Sequence, residues 1–184
     1  MTALLLWIFQ MIRHEIIPLI AKGLKPAVYV ELGIGYAGSI LLSNMIDTLP
    51  DTEIWGIDIV DMRAEFSGRN ANIFHGSTEQ FHRLWEEQGG KPIDLIFIDA
   101  DHCAESVLED VGDFLPFLTP DTGIMILHDT WPVDRDWTGP DKSGDSYKVP
   151  KVLKSELTNV EIFTLPIHHG LTFIRKVGDN WRNE

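Results

Sequence analysis

Val28-Tyr29-Val30-Glu31-Leu32-Gly33-Ile34-Gly35-Tyr36-Ala37-Gly38-Ser39 starts as an apolar run suited to a buried parallel strand, then breaks into three glycines. Beyond it, Ile40, Leu41, Leu42, Met45, Ile46 and Leu49 recur at helical spacing. Strand, glycine turn and helix together bring backbone close to a nucleotide-like ligand. A Cβ in such a turn would block the ligand or forbid the turn itself. Gly-x-Gly-x-x-Gly alone carries little weight. Its position between a strand and a helix is what makes it informative.

Working outward, the same alternation repeats. Strands are expected at 27–32, 53–58, 71–75, 93–99 and 124–128, with helices at 40–49, 78–85 and 104–118 between them. A weak helix is expected at 61–66. Before the first strand, residues 3–22 read as a helix that Pro18 kinks or breaks. After the fifth comes a polar stretch rich in Asp, Gly and Pro, then a short helix at 150–157. Strands at 160–165 and 171–176 close the chain, and their five-residue connection makes them an antiparallel hairpin.

This pattern predicts an α/β fold, a doubly wound Rossmann-like sheet of seven strands: five parallel plus the C-terminal antiparallel hairpin, with helices on both faces. We expect a single domain over 1–184, with an N-terminal helical segment (1–24) and a substrate or lid loop (129–148).

Ligands of such sheets bind at the carboxyl ends of the strands. Glu31, Asp58, His75, Asp99 and the pair His128-Asp129 stand at those ends. Five consecutive strands thus bring polar groups to one rim, which points to a polar ligand, a metal, or both.

Composition narrows the classes. Lys and Arg number 15 against 28 Asp and Glu, a formal charge of −13, which argues against a nucleic-acid partner. The lone Cys103 excludes an internal disulfide and a cysteine-rich zinc site, and fits a reducing, cytoplasmic location. The apolar run at 4–9 has no basic residue before it, and Arg13, His14 and Glu15 follow soon after. It is too short to span a bilayer. It reads as a helix packed on the domain or on a second copy, giving a homodimer, with membrane-surface attachment as the alternative.

Residues 30–38 resemble the first motif of the class I S-adenosylmethionine-dependent methyltransferases, and the reversed last strand is similar to theirs. Ile98-Asp99-Ala100-Asp101-His102 and Leu127-His128-Asp129-Thr130 resemble the metal-dependent O-methyltransferases, nearest the subgroup similar to macrocin O-methyltransferase and the cephalosporin-hydroxylase-like proteins. The resemblance implies S-adenosylmethionine as cofactor and a small-molecule hydroxyl as methyl acceptor. It implies cofactor contacts from Glu31, Gly33, Ile34, Gly35, Gly38, Ser39, Asp58, Ile59, Ser77, Thr78 and Asp99. Asp58 stands at the family's ribose-binding position, and a carboxylate offers the two acceptors that a ribose diol needs. Glu31 would hold the methionine ammonium directly or through water.

Asp99, His128 and Asp129 form the expected metal set. Two carboxylates suit magnesium. The resembling families usually carry an acid at the position of His128, and a histidine there moves the preference toward manganese, iron or zinc. Asp101 and His102 are the expected proton acceptors for the substrate hydroxyl, His102 having the better unperturbed pKa.

Two rivals stand beside this reading. An NAD(P)-dependent oxidoreductase would satisfy the same glycine spacing, though Asp99-x-Asp101 has no role in it. A non-catalytic S-adenosylmethionine-binding domain is the other. Trp131, Trp137 and Tyr147 in the long loop, with His168 and His169 in the hairpin turn, are further candidates for the substrate mouth. Glu109, Asp110 and Asp113 read as the solvated face of a helix.

Overall fold

In the computed structural model, residues 3–35, 38–167 and 169–177 are described, with side chains omitted at 3–12, 38 and 39. Tyr36, Ala37 and His168 lie outside the described residues, as do the side chains of Ser39 and of the apolar run at 4–9.

The strands are β1 (Val28–Leu32), β2 (Glu53–Asp58), β3 (Asn72–His75), β4 (Leu95–Ile98), β5 (Ile124–Leu127), β6 (Val160–Leu165) and β7 (Leu171–Lys176). They form one sheet in the order β3-β2-β1-β4-β5-β7-β6. β1 to β5 run parallel, while β7 is antiparallel to both β5 and β6. The expected seven-stranded Rossmann-like sheet with a reversed hairpin is the observed fold. β1 and β4 are neighbours, so the strand order reverses direction between them and a crevice opens above their carboxyl ends.

The helices are α1 (Ala3–Leu24), α2 (Gly38–Thr48), α3 (Thr78–Glu87), α4 (Ala104–Phe114) and α5 (Val149–Glu156). β1 is buried along its whole length and alternates between two cores. Val28, Val30 and Leu32 meet Phe81 and Trp85 of α3, Val107 and Val111 of α4, and Leu153 of α5. Tyr29 faces the other way, toward Ile17 and Ala21 of α1 and Leu41, Leu42 and Met45 of α2. Period-two alternation in a strand with both faces covered produces this layering.

Three details differ from the sequence reading. α1 is one continuous helix through Pro18, so the proline does not break it. The segment at 61–66 forms turns rather than a helix, anchored by the buried Met62 and Phe66. α4 ends at Phe114 and gives way to a 3-10 turn, Leu115–Phe117, with Pro116 in it.

Candidate functional site

Gly33 sits at φ +88°, and a Cβ there would lie 2.3 Å from the carbonyl oxygen of Asp99. The glycine is required because the β1 and β4 turns cross backbone against backbone. Asp58, at the end of β2, braces the same turn. Its carboxylate accepts from the Gly35 N–H at 2.6 Å and from the Val60 N–H at 2.7 Å.

Beside this turn lies a cavity of about 930 Å³, lined by Gly33, Asp58, Ile59, Ser77, Thr78, Asp101 and Asp110 among others. Its volume is in the range of sites for small ligands and cofactors. Ser77 caps α3 in a reciprocal capping box with Gln80, which holds this part of the wall rigid. Ile59 is 74% exposed at the rim.

Asp110 corrects the solvated-face reading. It is only 4% exposed and faces the cavity, with Glu109 and Asp113 also in the lining. Burial raises its pKa from 3.8 to about 6, against a hydrogen bond with Thr78 that favours ionisation. Glu31 points to the opposite face of β1 and is fully buried. Its Oε2 accepts from the Tyr29 hydroxyl at 2.7 Å, while Oε1 has no hydrogen-bond partner. Burial pushes its pKa up to about 8, with the Tyr29 bond acting the other way.

The second cluster stands over the ends of β4 and β5. His128 Nδ1 lies 3.0 Å from Asp99 Oδ1 and 3.3 Å from Asp129 Oδ2. Consecutive strand residues ordinarily point apart. Asp129 adopts a left-handed φ of 58°, which turns the chain so that its carboxylate meets the neighbouring ring. His102 Nε2 reaches the same carboxylates, at 3.7 Å from Asp99 and 3.4 Å from Asp129. Asp99, His102 and Asp129 each offer one donor atom within 4.8 Å of the others, a spacing that suits a metal ion. The structure therefore brings Asp99, Asp129, His128 and His102 together, and adds His102 as a further nitrogen donor beside the two carboxylates.

The charges in this cluster hold one another. Hydrogen bonding to Asp99 raises the pKa of His102 to about 9, despite partial burial. Burial alone would lower the pKa of His128, but Asp99 and Asp129 raise it to about 9. Asp99 stays well below the usual carboxylate range, since His128, His102 and Arg13 outweigh its desolvation. Nε2 of His102 can ligate a metal only after losing that proton, so a bound cation would displace it. Asp101 lies on the cavity side of the same turn. Its carboxylate accepts from Ser106 Oγ at 2.9 Å and the Cys103 N–H at 3.2 Å, at the start of α4. Its pKa is lowered because these bonds outweigh its desolvation.

Several residues here went unrecognised in the sequence. Arg13 of α1 is 8% exposed and places Nη1 2.8 Å from Asp99 Oδ2. Its signal was a cation in the middle of an apolar helix, four and eight residues before the buried Ile17 and Ala21. Ser143 donates to Asp129 Oδ1 at 2.9 Å. The His102 ring nitrogen Nδ1 meets the Lys142 carbonyl, and the His102 carbonyl accepts from the N–H groups of Asp145 and Ser146. The loop at 129–148 is thus a packed wall over the cluster. Trp137 packs against His169 in a tilted pair with ring centres 4.1 Å apart, while Trp131 is 59% exposed and Tyr147 is also exposed.

Comparison with known proteins adds the family. The model of a methyltransferase domain matches residues 30–130. No curated protein sequence matches the chain. Among solved structures, the SAH-bound methyltransferase PaMTH1 of Podospora anserina superposes with a TM-score of 0.67 at 19% identity, covering 89% of this chain and 77% of that one. The O-methyltransferase TomG of Streptomyces achromogenes, involved in tomaymycin synthesis and bound to SAM, gives 0.69 at 17%, covering 90% and 80%. MycE from the mycinamycin biosynthetic pathway, in complex with Mg, SAH and mycinamycin VI, gives 0.60 at 19%, and this chain spans 47% of its length. At these identities the likeness is one of fold.

Proposed function

The chain belongs to this methyltransferase-domain family, and from that premise we propose that it transfers a methyl group from S-adenosylmethionine to a hydroxyl of a small molecule, assisted by a divalent cation. The observation that carries the reading is the joint between the two regions. The Asp99-Ala100-Asp101 turn lines the 930 Å³ cavity on one side and supplies Asp99 to the carboxylate–histidine cluster on the other. A cofactor site and a cation site thus meet at one turn, Ala100 and Asp101 lining the cavity and Asp99 joining the cluster. Solved neighbours of the same fold include proteins bound to SAM or SAH, and one bound to Mg, SAH and mycinamycin VI.

When bound, S-adenosylmethionine supplies an activated methyl group, and the cation supplies Lewis acidity toward the acceptor hydroxyl. The chain's own residues bind and orient. Asp58 keeps lone pairs for ribose hydroxyls while its backbone bonds hold the glycine turn. Thr78 and Asp110 border the base. Glu31, outside the cavity lining, would reach the methionine ammonium through water, from the carboxylate oxygen that has no partner. Asp99, Asp129 and His102 hold the cation, and His128 orients both carboxylates. In this arrangement His102 acts as a ligand, and Asp101 as a cofactor contact. Ile59 offers exposed apolar surface at the cavity rim for a substrate.

We keep the whole chain as one domain of this kind. No described helix is long and apolar enough to cross a membrane. Ile17 and Ala21 of α1 are buried against α2. A homodimer through α1 would therefore use its outer face, where Leu19 is 71% exposed.

Thermal shift and calorimetry with S-adenosylhomocysteine, NAD and Mn²⁺, followed by methyl transfer to a panel of hydroxyl compounds with and without chelator, test this reading. Binding of S-adenosylhomocysteine and chelator-sensitive turnover are expected. Stabilisation by NAD alone would sink it, and cofactor binding without turnover on any acceptor would favour a non-catalytic binding domain.

A further inference from the structure

Arg13, Ile17 and Ala21 are spaced by four residues and share one face of α1. Ile17 and Ala21 are fully buried under the sheet, and this docking carries Arg13 to the rim. The Asn44 side chain, donating to the His14 carbonyl at 3.2 Å, ties α1 to α2 at the same level. The guanidinium then makes one 2.8 Å contact with Asp99 Oδ2 and lies 3.5 Å from His128 Nδ1. Its Nε is buried without a hydrogen-bond partner. An arginine built to stay would pair bidentately and satisfy its Nε. This one is held chiefly by charge.

Asp99 is also one of the three residues whose donor atoms converge for a metal. A divalent ion there would share a single carboxylate with a buried guanidinium, two cations on one anion at low dielectric. We propose that Arg13 serves as counter-cation to Asp99, and that a divalent ion and Arg13 compete for this carboxylate, so that α1 acts as a latch released on metal entry. The proposal rests on the metal reading given above. It goes further by assigning α1 control over whether the centre is loaded.

Mn²⁺ titration of the intact chain, followed by the loss of the free-ion paramagnetic resonance signal, is the direct test. Arg13→Gln should bind Mn²⁺ about tenfold or more tighter than wild type, and Arg13→Lys, which keeps the charge, should stay within about threefold of wild type. Equal or weaker binding by Arg13→Gln overturns the latch and leaves the metal reading standing. Absence of Mn²⁺ binding in every variant overturns both. Hydrogen exchange on the wild type makes the test independent of whether the variants fold. Saturating Mn²⁺ should speed exchange of the α1 amides around Arg13, and unchanged or slower exchange overturns the latch.

Discussion

The two halves of the site are assembled in different ways. The cavity half is built mostly from near neighbours along the chain: a glycine turn, an acid at the next strand end, and a capping box at the start of α3. Its bonds run largely to backbone N–H groups. The carboxylate–histidine half is built from residues far apart, Arg13 with Asp99, Asp99 with His128, and Asp129 with Ser143. Its bonds run between ionisable side chains. The first half is held chiefly by backbone geometry, whereas the second is held by charges on its side chains. The turn 99–101 is common to both, so they are separable in energy but joined in space.

That comparison can be broken most severely at Gly33. Gly33→Ala puts a Cβ 2.3 Å from the Asp99 carbonyl oxygen at a positive φ. We expect about 4 kcal/mol of destabilisation in urea unfolding, with loss of both cofactor and metal binding. A loss of under about 1 kcal/mol would mean that the two turns do not cross as closely as described.

A smaller effect should separate the halves. Asp58→Ala removes the acceptor for Gly35 and Val60. We expect S-adenosylhomocysteine affinity to fall about a hundredfold in calorimetry, about 3 kcal/mol, with Mn²⁺ binding unchanged. Equal losses of both ligands would show that the halves are not independent.

The smallest effect concerns charge inside the cavity half. Asp110 has a folded pKa of about 6 against an ordinary 3.8. The fold therefore binds this proton more tightly than the unfolded chain does. Its stabilising contribution is complete below pH 3.8 and is lost as pH rises through about 6. Asp110→Asn should stabilise the protein by about 2 kcal/mol near pH 8 and by nearly nothing near pH 4, in urea melts at the two values. A pH-independent difference would remove burial of the charge as the cause.

Much of the architecture was legible in the chain. Alternating apolar runs and helical spacings predict the sheet, its reversed hairpin and the rim of polar strand ends, because each depends on residues close in sequence. Of the kink or break expected at Pro18, the continuous helix rules out the break. The segment at 61–66 misled because Met62 and Phe66 reach the core from turns as well as from a helix. Asp110 misled because an acid on a helix is usually solvated, and only the packing of α4 beside α3 buries this one.

By itself, then, the sequence determined the layered sheet, the glycine turn and which strand ends carry acids and histidines, since local periodicity and chain geometry suffice for these. Only the tertiary structure decided that His102 presents donor geometry to Asp99 and Asp129, that His128 and His102 carry raised pKa values, and that Arg13 belongs to the site at all. Those properties depend on charges brought within 4 Å by elements up to 115 residues apart, and nothing in local spacing encodes such distances.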